Sequence, residues 1–245
     1  MGILIRFFSG HTMLFCVLLA AVFMTLWWFK FQKKLNLKPY YPPIFAIVHM
    51  VFAVVVMKIW ALVEVGFNTE AAANMRLYGV FFIEIPLFII IGYKILKTPN
   101  IRLFTDVLTI AGMIGLAVGR VNCLMKDCCY GRLISEFGPE RWPLREIEIV
   151  YSILFVLYFA PKVLKGKTNG EVAPIGYIGY GVLRFLMEFL REEYTGQVGP
   201  LHLAHIWSLI SIAAGIFSYI MVKKQSGRKA VKKSNPLEGK GGKEK

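Results

Sequence analysis

Gly119-Arg-Val-Asn-Cys-Leu-Met-Lys-Asp-Cys-Cys-Tyr-Gly-Arg132 follows a hydrophobic segment near the middle of the chain. It brings two arginines, three cysteines, an aspartate and two glycines to the point where an apolar run gives way to polar sequence. Ionisable groups at the edge of a hydrocarbon layer are costly and are retained there mainly for function. The stretch therefore predicts the end of a membrane helix and the start of a functional site.

The composition indicates an integral membrane protein. Of the 245 residues, 56% are hydrophobic, and the mean hydropathy is +0.56. The apolar residues come in blocks, and a helix of about 20 residues crosses about 30 Å of hydrocarbon. The blocks predict an all-α bundle of seven transmembrane helices, near residues 12–29, 44–63, 77–96, 102–119, 147–164, 174–190 and 203–222.

Lysine and arginine predict the orientation of this bundle. Four segments that share one side hold 19 of the 29 Lys and Arg residues: 30–43, 94–102, 162–171 and the chain after 222. Because cytoplasmic loops are enriched in positive charge, we expect the N-terminus outside and the C-terminus in the cytoplasm.

The same pattern divides the chain into two regions. Residues 1–222 are expected to form the transmembrane domain, with an outer-face site and a loop over 120–146. Residues 223–245, rich in Lys, Gly and Ser, are expected to form a basic, disordered cytoplasmic tail. This tail contributes much of the net charge of +14, so no nucleic-acid partner is needed to explain the charge.

The sixth predicted helix carries three charged residues at helical spacing. In Leu183-Arg-Phe-Leu-Met-Glu-Phe-Leu-Arg191, the side chains of Arg184, Glu188 and Arg191 fall on one stripe. A structural ion pair between Glu188 and Arg191 is one interpretation. Arg184 lies deeper, and together with Arg120 it predicts a bidentate site for a phosphate group at the outer leaflet. A lipid with an anionic headgroup is the natural ligand for such a site.

Two motifs resemble the prolipoprotein diacylglyceryl transferases. The stretch from Gly119-Arg120 to Gly131-Arg132 is similar to the family signature that begins and ends with Gly-Arg. Arg184-Phe-Leu-Met-Glu188-Phe-Leu-Arg191 is similar to the family's Arg-Phe-x-x-Glu-x-x-Arg helix. Seven spans with an outer N-terminus also resemble the family.

The resemblance implies a multi-pass enzyme of the bacterial cell membrane, with its active site toward the outer leaflet. The implied reaction transfers the diacylglyceryl group of phosphatidylglycerol to the thiol of a lipobox cysteine in a lipoprotein precursor. It forms a thioether and releases glycerol phosphate. The partners would be an anionic phospholipid donor and a lipoprotein precursor or other thiol peptide, with no cofactor and no metal.

The resemblance also implies roles for individual residues. Arg120 and Arg184 match the family's phosphate-handling arginines, and Glu188 would orient Arg184 or Arg191. Attack by sulfur on a glycerol carbon expels a phosphate oxygen, so the reaction needs cationic hydrogen-bond donors there. The expected substrate-binding residues are Arg120, Arg184, Arg191, Cys123, Gly131 and Glu84.

The chain departs from the family pattern where a base is expected. The family usually shows His-Gly-Gly, with the histidine a candidate base, whereas this chain has Tyr78-Gly79-Val80. Because tyrosine titrates at about pH 10, Tyr78 is expected to donate a hydrogen bond to the headgroup. His205 and a buried Glu84 are then the candidate bases.

Two further departures concern the acceptor side of the site. Cys123 stands where the family has asparagine, and Trp142-Pro-Leu-Arg145-Glu-Ile-Glu148 replaces the family's His-Pro-x-Gln-x-x-Glu. These changes leave the phosphate-binding motifs intact while they alter the part of the site that receives the acceptor. The acceptor could therefore differ from that of the family.

Cys123, Cys128 and Cys129 leave several interpretations open. Their spacing does not fit a paired Cys-x-x-Cys zinc knuckle, and packed thiols are the main expectation, with one disulfide if the compartment is oxidising. A membrane thiol oxidoreductase, with nearby cations lowering the pKa of an exposed thiol, is the alternative enzyme. A non-catalytic transporter of an anionic lipid or solute is the alternative outside catalysis.

Overall fold

The structure is a computed structural model that describes residues 2–65, 77–126, 128–135, 138–191, 197–198 and 201–234. Over these residues it contains seven α-helices: α1 Gly2–Phe31, α2 Tyr41–Val65, α3 Ile85–Ile90, α4 Ile101–Met125, α5 Leu144–Leu164, α6 Val172–Glu188 and α7 Leu203–Ser234. Two π-helical turns, Val80–Glu84 and Ile91–Ile95, flank α3. Strands β1, Gln197–Val198, and β2, Leu201–His202, pair antiparallel. The predicted all-helical architecture is confirmed.

Five helices of the described part of the chain are long and apolar enough to cross a membrane. They comprise Thr12–Phe31, Tyr41–Glu64, Ile101–Met125, Leu144–Leu164 and Leu203–Ser226. Large apolar side chains stay exposed on their outer faces; Leu157 and Phe217 are 65% and 67% exposed. Such a surface is stable only against lipid or another apolar partner. The protein is therefore a multi-pass membrane protein with five candidate spans.

The other two predicted spans are helical but do not form long α-helices. The third is α-helical only over Ile85–Ile90, and α6 has 17 residues. Pro86 lies at the start of α3, where it lacks an N–H group for a carbonyl of the preceding turn. The wider turn of Val80–Glu84 is the form that the chain takes just before this proline.

Two element boundaries also differ from the prediction. Helix α4 ends at Met125 rather than at residue 119, so Arg120 and Cys123 belong to the helix and not to a loop. Helix α7 continues through Ser234, whereas the sequence predicts a disordered tail from residue 223. Residues 223–234 include several good helix formers and one glycine, which favours continuation of the helix. The rest of the predicted tail lies outside the described residues.

The helices pack in neighbouring pairs, most extensively α6 with α7 and α4 with α5, while α1 packs against α2 and α4. An aromatic core lies between α1, α2 and the first turn of α4. The ring of Trp28 is 5.1 Å from that of Phe45 and 5.3 Å from that of Phe104, centroid to centroid. This core packs one end of the bundle together. Arg120 lies toward the opposite end of α4.

A buried carboxylate anchors α6 against α4. Asp106 is fully buried, and its two oxygens accept hydrogen bonds from the backbone N–H groups of Gly170 and Val172, each at 3.0 Å. The N–H groups in the first turn of a helix have no partner within the helix, and a negative charge there also complements the helix dipole. Asp106 therefore fixes where α6 begins, and with it the position of Arg184 further along.

Replacing Asp106 with alanine is expected to lower the stability of the bundle. Each buried N–H group left without an acceptor costs about 1–3 kcal/mol. The control is Asn100→Ala, which removes an exposed cap that accepts from the backbone N–H of Leu103 and should cost about 1 kcal/mol. Thermal unfolding of both variants in one detergent measures the difference. Equal loss in the two variants would contradict an anchoring role for Asp106.

Candidate functional site

The polar end of the bundle is organised by an arginine cluster, which we define as Arg120, Glu148, Arg184, Glu188 and Arg191. The Arg120 guanidinium, from the last turns of α4, forms an ion pair through Nε with Oε2 of Glu148 on α5. Oε1 of Glu148 lies 3.6 Å from Nη1 of Arg184 on α6. Nη2 of Arg184 lies 3.0 Å from Oε2 of Glu188, one helical turn later. One carboxylate thus joins the two predicted phosphate-handling arginines.

Three of the five residues of the cluster are almost completely removed from solvent, and Arg120 and Arg191 are partly buried. Glu148 is 2% exposed, Glu188 0% and Arg184 7%. The Tyr180 hydroxyl donates to Oε1 of Glu148 at 3.4 Å, which adds a neutral donor to the shared carboxylate. Charges buried to this extent persist only when they are paired and hydrogen-bonded. The positions of Arg120 and Arg184 are therefore held by partners from two helices, α5 and α6.

Positive charge exceeds negative charge in the arginine cluster. Burial, followed by the charge of Arg184, lowers the pKa of Arg191 to about 10, so the group is still a cation at neutral pH. Arg120, Arg184 and Arg191 then oppose only Glu148 and Glu188 within the cluster. A buried site with one excess positive charge favours an anionic ligand, and guanidinium groups match the geometry of phosphate oxygens.

The segment after α4 folds back onto the end of α6 at Gly131. The Gly131 N–H donates to the carbonyl of Trp142 at 3.1 Å, and the Arg132 N–H donates to the carbonyl of Leu190 at 2.8 Å. A Cβ atom on Gly131 would lie 2.5 Å from Cβ of Trp142 and 3.0 Å from the Leu190 carbonyl oxygen. Only glycine fits there, and the contact brings the second Gly-Arg of the signature beside Arg191.

An apolar cavity lies along the helix faces that carry the two arginines. Its walls include Leu116 and Met113 of α4 and Tyr177 of α6, together with side chains of the third helical segment. Leu116 precedes Arg120 by one helical turn and Tyr177 precedes Arg184 by two turns, so the cavity and the guanidinium groups share a face. The cavity is thus an apolar space on the same helix faces, one to two turns away from the guanidinium groups.

Tyr78 and Glu84 are each held by a partner outside the arginine cluster, although the ring of Tyr78 lies 6.5 Å from that of Tyr180. The Ser208 hydroxyl donates to the carbonyl of Ala204 at 2.7 Å, so its oxygen accepts from the Tyr78 hydroxyl at 2.5 Å. This bond uses the proton that we expected Tyr78 to donate to a headgroup. Glu84 is fully buried and lies 2.6 Å from Nδ1 of His49 on α2. Both side chains are thus paired with other helices rather than with the arginine cluster.

His205 is buried beneath two phenylalanines and is 1% exposed. Its ring lies 5.0 Å from that of Phe185 and 4.4 Å from that of Phe189. Nδ1 accepts a hydrogen bond from the backbone N–H of His202 at 3.2 Å. In a neutral imidazole the other nitrogen then carries the proton, which makes Nε2 a donor. This geometry opposes the predicted role of His205 as a general base.

Comparison with known proteins identifies the family of this chain. The sequence model of the family described as prolipoprotein diacylglyceryl transferase matches residues 13–221. The chain belongs to that family.

Individual relatives match over part of their length. The chain is 33% identical over 146 residues to phosphatidylglycerol–prolipoprotein diacylglyceryl transferase 2 of Clostridium perfringens, which covers 51% of this chain and 56% of the relative. It is 32% identical over 117 residues to the Clostridium tetani transferase, with coverages of 41% and 46%. For the Streptococcus uberis transferase, identity is 27% over 159 residues, with coverages of 58% and 60%. The chain thus spans about half the length of these curated relatives.

Three cysteines lie close together at the end of α4. All four cysteines lie in the described part of the chain and are free thiols, and the sulfurs of Cys123, Cys128 and Cys129 all lie within 4.8 Å of one another. A hydrogen bond from Cys123, with the charge of Arg120, lowers the pKa of the Cys129 thiol, whereas burial raises that of Cys128. We call these three residues the thiol cluster.

The sequence analysis did not assign a role to Glu148 or Tyr180. Glu148 pairs with both Arg120 and Arg184, and Tyr180 donates a hydrogen bond to Glu148. The signal for Glu148 was present in the sequence, since this residue occupies the glutamate position of the family's His-Pro-x-Gln-x-x-Glu element. Tyr180 carried no such signal, because an aromatic residue among glycines in a membrane helix is typical of packing.

Proposed function

We propose that this protein transfers the diacylglyceryl group of phosphatidylglycerol to the thiol of a cysteine in a lipoprotein precursor. The observation that supports it most directly is the buried, net cationic arginine cluster above an apolar cavity on the same helix faces. A phospholipid has this same polarity, with an anionic headgroup on apolar chains. The reacting end of the bundle faces the outer leaflet of a bacterial cell membrane in this proposal, with the N-terminus outside.

The proposed reaction places the arginines on the leaving group. The acceptor sulfur attacks the glycerol carbon that carries the phosphate, a C–S bond forms and the C–O bond to phosphate breaks. The electron pair of that bond moves to the phosphate oxygen, and glycerol phosphate departs. Arg120 and Arg184 would donate hydrogen bonds to the oxygen on which this charge develops. The acceptor thiol loses its proton when the C–S bond forms, and the departing phosphate is one group able to accept that proton.

Other residues of the cluster would position these donors. Glu188 pairs with Nη2 of Arg184, and the Glu148 carboxylate pairs with both Arg120 and Arg184. Arg191 would add to the charge that attracts the headgroup, and Gly131 would shape its surroundings. Cys123 lies beside Arg120 and so would contact the acceptor side.

The thiol cluster supports a second candidate, a membrane thiol oxidoreductase. A thiol of lowered pKa beside two others is suited to exchange with a substrate disulfide. This candidate leaves the arginine cluster and the apolar cavity without a role, which is why we prefer the transferase. A transporter for anionic lipid would use those two features but would leave the lipid intact.

One assay separates these candidates. Purified protein in vesicles that contain phosphatidylglycerol labelled in both the acyl chains and the headgroup is supplied with a lipobox peptide. We expect the peptide to gain the mass of the diacylglyceryl group while labelled glycerol phosphate is released. Oxidation or reduction of the peptide alone would support the oxidoreductase, and movement of intact lipid would support the transporter. Unchanged lipid and peptide would contradict the transferase proposal.

A further inference from the structure

The thiol cluster has the dimensions of a metal site. A zinc–sulfur bond is about 2.3 Å, so two thiolates on one ion lie about 4 Å apart. The sulfurs of Cys123, Cys128 and Cys129 already lie within 4.8 Å of one another. Cys123 comes from the last turn of α4, and the other two follow the end of that helix. Small side-chain rotations would bring all three sulfurs to one ion.

The backbone around the cluster is held in an unusual conformation. Cys129 has a φ of 64°, a left-handed value that residues with a side chain rarely adopt. The Cys128 N–H donates to the carbonyl of Cys123 at 3.2 Å. Arg145, from the first turn of α5, donates through Nη1 to the carbonyls of Cys123 and Cys128 at 3.4 Å and 3.2 Å. Strained backbone of this kind is typical of functional sites, and here an outside side chain supports it.

Charges around the cluster are of the sign that a thiolate–metal centre requires. Three thiolates on a divalent ion carry a net charge of −1, and on a monovalent ion −2. Arg120, Arg145 and Arg191 all act electrostatically on these sulfurs. Soft thiolate ligands select Zn(II) and Cu(I) over hard cations such as magnesium and calcium.

We propose that Cys123, Cys128 and Cys129 form a three-thiolate site for a soft d¹⁰ metal ion, Zn(II) or Cu(I). Binding of Zn(II) forms three metal–sulfur bonds and releases three protons, with no change in oxidation state. The Cys129 side is exposed, so a fourth position is open to water or to an external thiol. Linear spacing argued against a zinc knuckle, but the turn after α4 assembles three sulfurs without a second Cys-x-x-Cys pair. The site does not depend on the proposed transferase activity.

Metal binding by the full-length, reduced protein tests this proposal. Detergent-purified protein is stripped with a chelator, titrated in separate anaerobic samples with Zn(II) or Cu(I), desalted and assayed for metal content per chain. We expect a single ion per chain, protection of the three thiols from alkylation, and a higher thermal unfolding temperature. Cys128→Ser and Cys129→Ser should each weaken binding by about tenfold or more. Cys16→Ser, a buried cysteine of α1, is the matched control and should bind as the unchanged chain does.

Two results would overturn the proposal. One is reduced, folded protein that retains no metal. The other is equal metal retention by Cys129→Ser, Cys16→Ser and the unchanged chain, which would indicate adventitious binding elsewhere. Cys129 is exposed, so its serine variant provides the test if Cys128→Ser fails to fold. Preference for Zn(II) or for Cu(I) in the two titrations identifies the ion.

Discussion

Arg120→Ala and Arg184→Ala are each expected to lower diacylglyceryl transfer by about 10²–10³-fold or more. Each change removes a cationic donor from the proposed leaving phosphate, and Arg120 and Arg184 reach it from different helices. Lysine at either position keeps the charge but loses the bidentate geometry, so Arg184→Lys should retain only part of the activity. Release of labelled glycerol phosphate in vesicles measures the effect.

The control for these variants is Arg102→Ala. Arg102 lies at the opposite end of α4, where its guanidinium donates to Asn169 and Ser226, each at 3.0 Å. Its loss should leave transfer close to that of the unchanged chain. Each variant is first checked for insertion and for cooperative thermal unfolding, because an inactive, unfolded protein says nothing about the phosphate. If folded Arg120→Ala retained full transfer activity, the proposal that the phosphate binds at this site would be wrong.

Glu148→Gln is expected to have the largest effect on stability. The substitution leaves Arg120 and Arg184 buried around a neutral amide, and breaking a buried ion pair by removing one partner costs about 3–5 kcal/mol. The excess positive charge of the cluster rises at the same time, so an anionic lipid should stabilise the variant more than it stabilises the unchanged chain. Thermal unfolding in vesicles of zwitterionic lipid, with and without phosphatidylglycerol, measures both effects.

Glu146→Gln is the matched control for this experiment. Glu146 lies on the same helix, is partly exposed and pairs with its neighbour Arg145 at 3.3 Å. An ion pair with this exposure contributes about 0–1 kcal/mol, so the control should unfold near the temperature of the unchanged chain. Equal loss of stability in the two variants would contradict the role of Glu148 in holding both Arg120 and Arg184. So would a failure of phosphatidylglycerol to raise the unfolding temperature of Glu148→Gln.

The helices were largely predictable because lipid imposes a minimum length on an apolar block. Their ends were not. The charge of Arg120 predicts that the fourth helix ends at residue 119, yet α4 continues to Met125. Glu148, from the neighbouring helix, neutralises Arg120 and allows the helix to continue. This boundary depends on a contact between two helices, and such a contact cannot be predicted from the sequence of one segment.

The site was predictable to the same extent. Arg120 and Arg184 were singled out because charges in apolar segments are conspicuous, and the structure does bring them to one carboxylate. Tyr78, Glu84 and His205 looked equally conspicuous, but each has a partner of its own outside the arginine cluster. The sequence identifies such polar groups but does not identify the hydrogen-bond or ion-pair partners that they have in the fold. Only the three-dimensional arrangement shows which of these groups meet at one carboxylate and which are paired elsewhere.

The π-helical turn before α3 has a consequence for aligning this chain with its relatives. Such a turn holds one residue more than an α-helical turn, and one residue corresponds to a rotation of about 100° about the helix axis. Deleting a residue from Val80–Glu84 would keep the helix continuous but would change the azimuth of Tyr78 relative to everything that follows α3. A gap in an alignment of this segment therefore marks a change in helical phase rather than a missing loop, and equivalent residues on its two sides have to be matched separately.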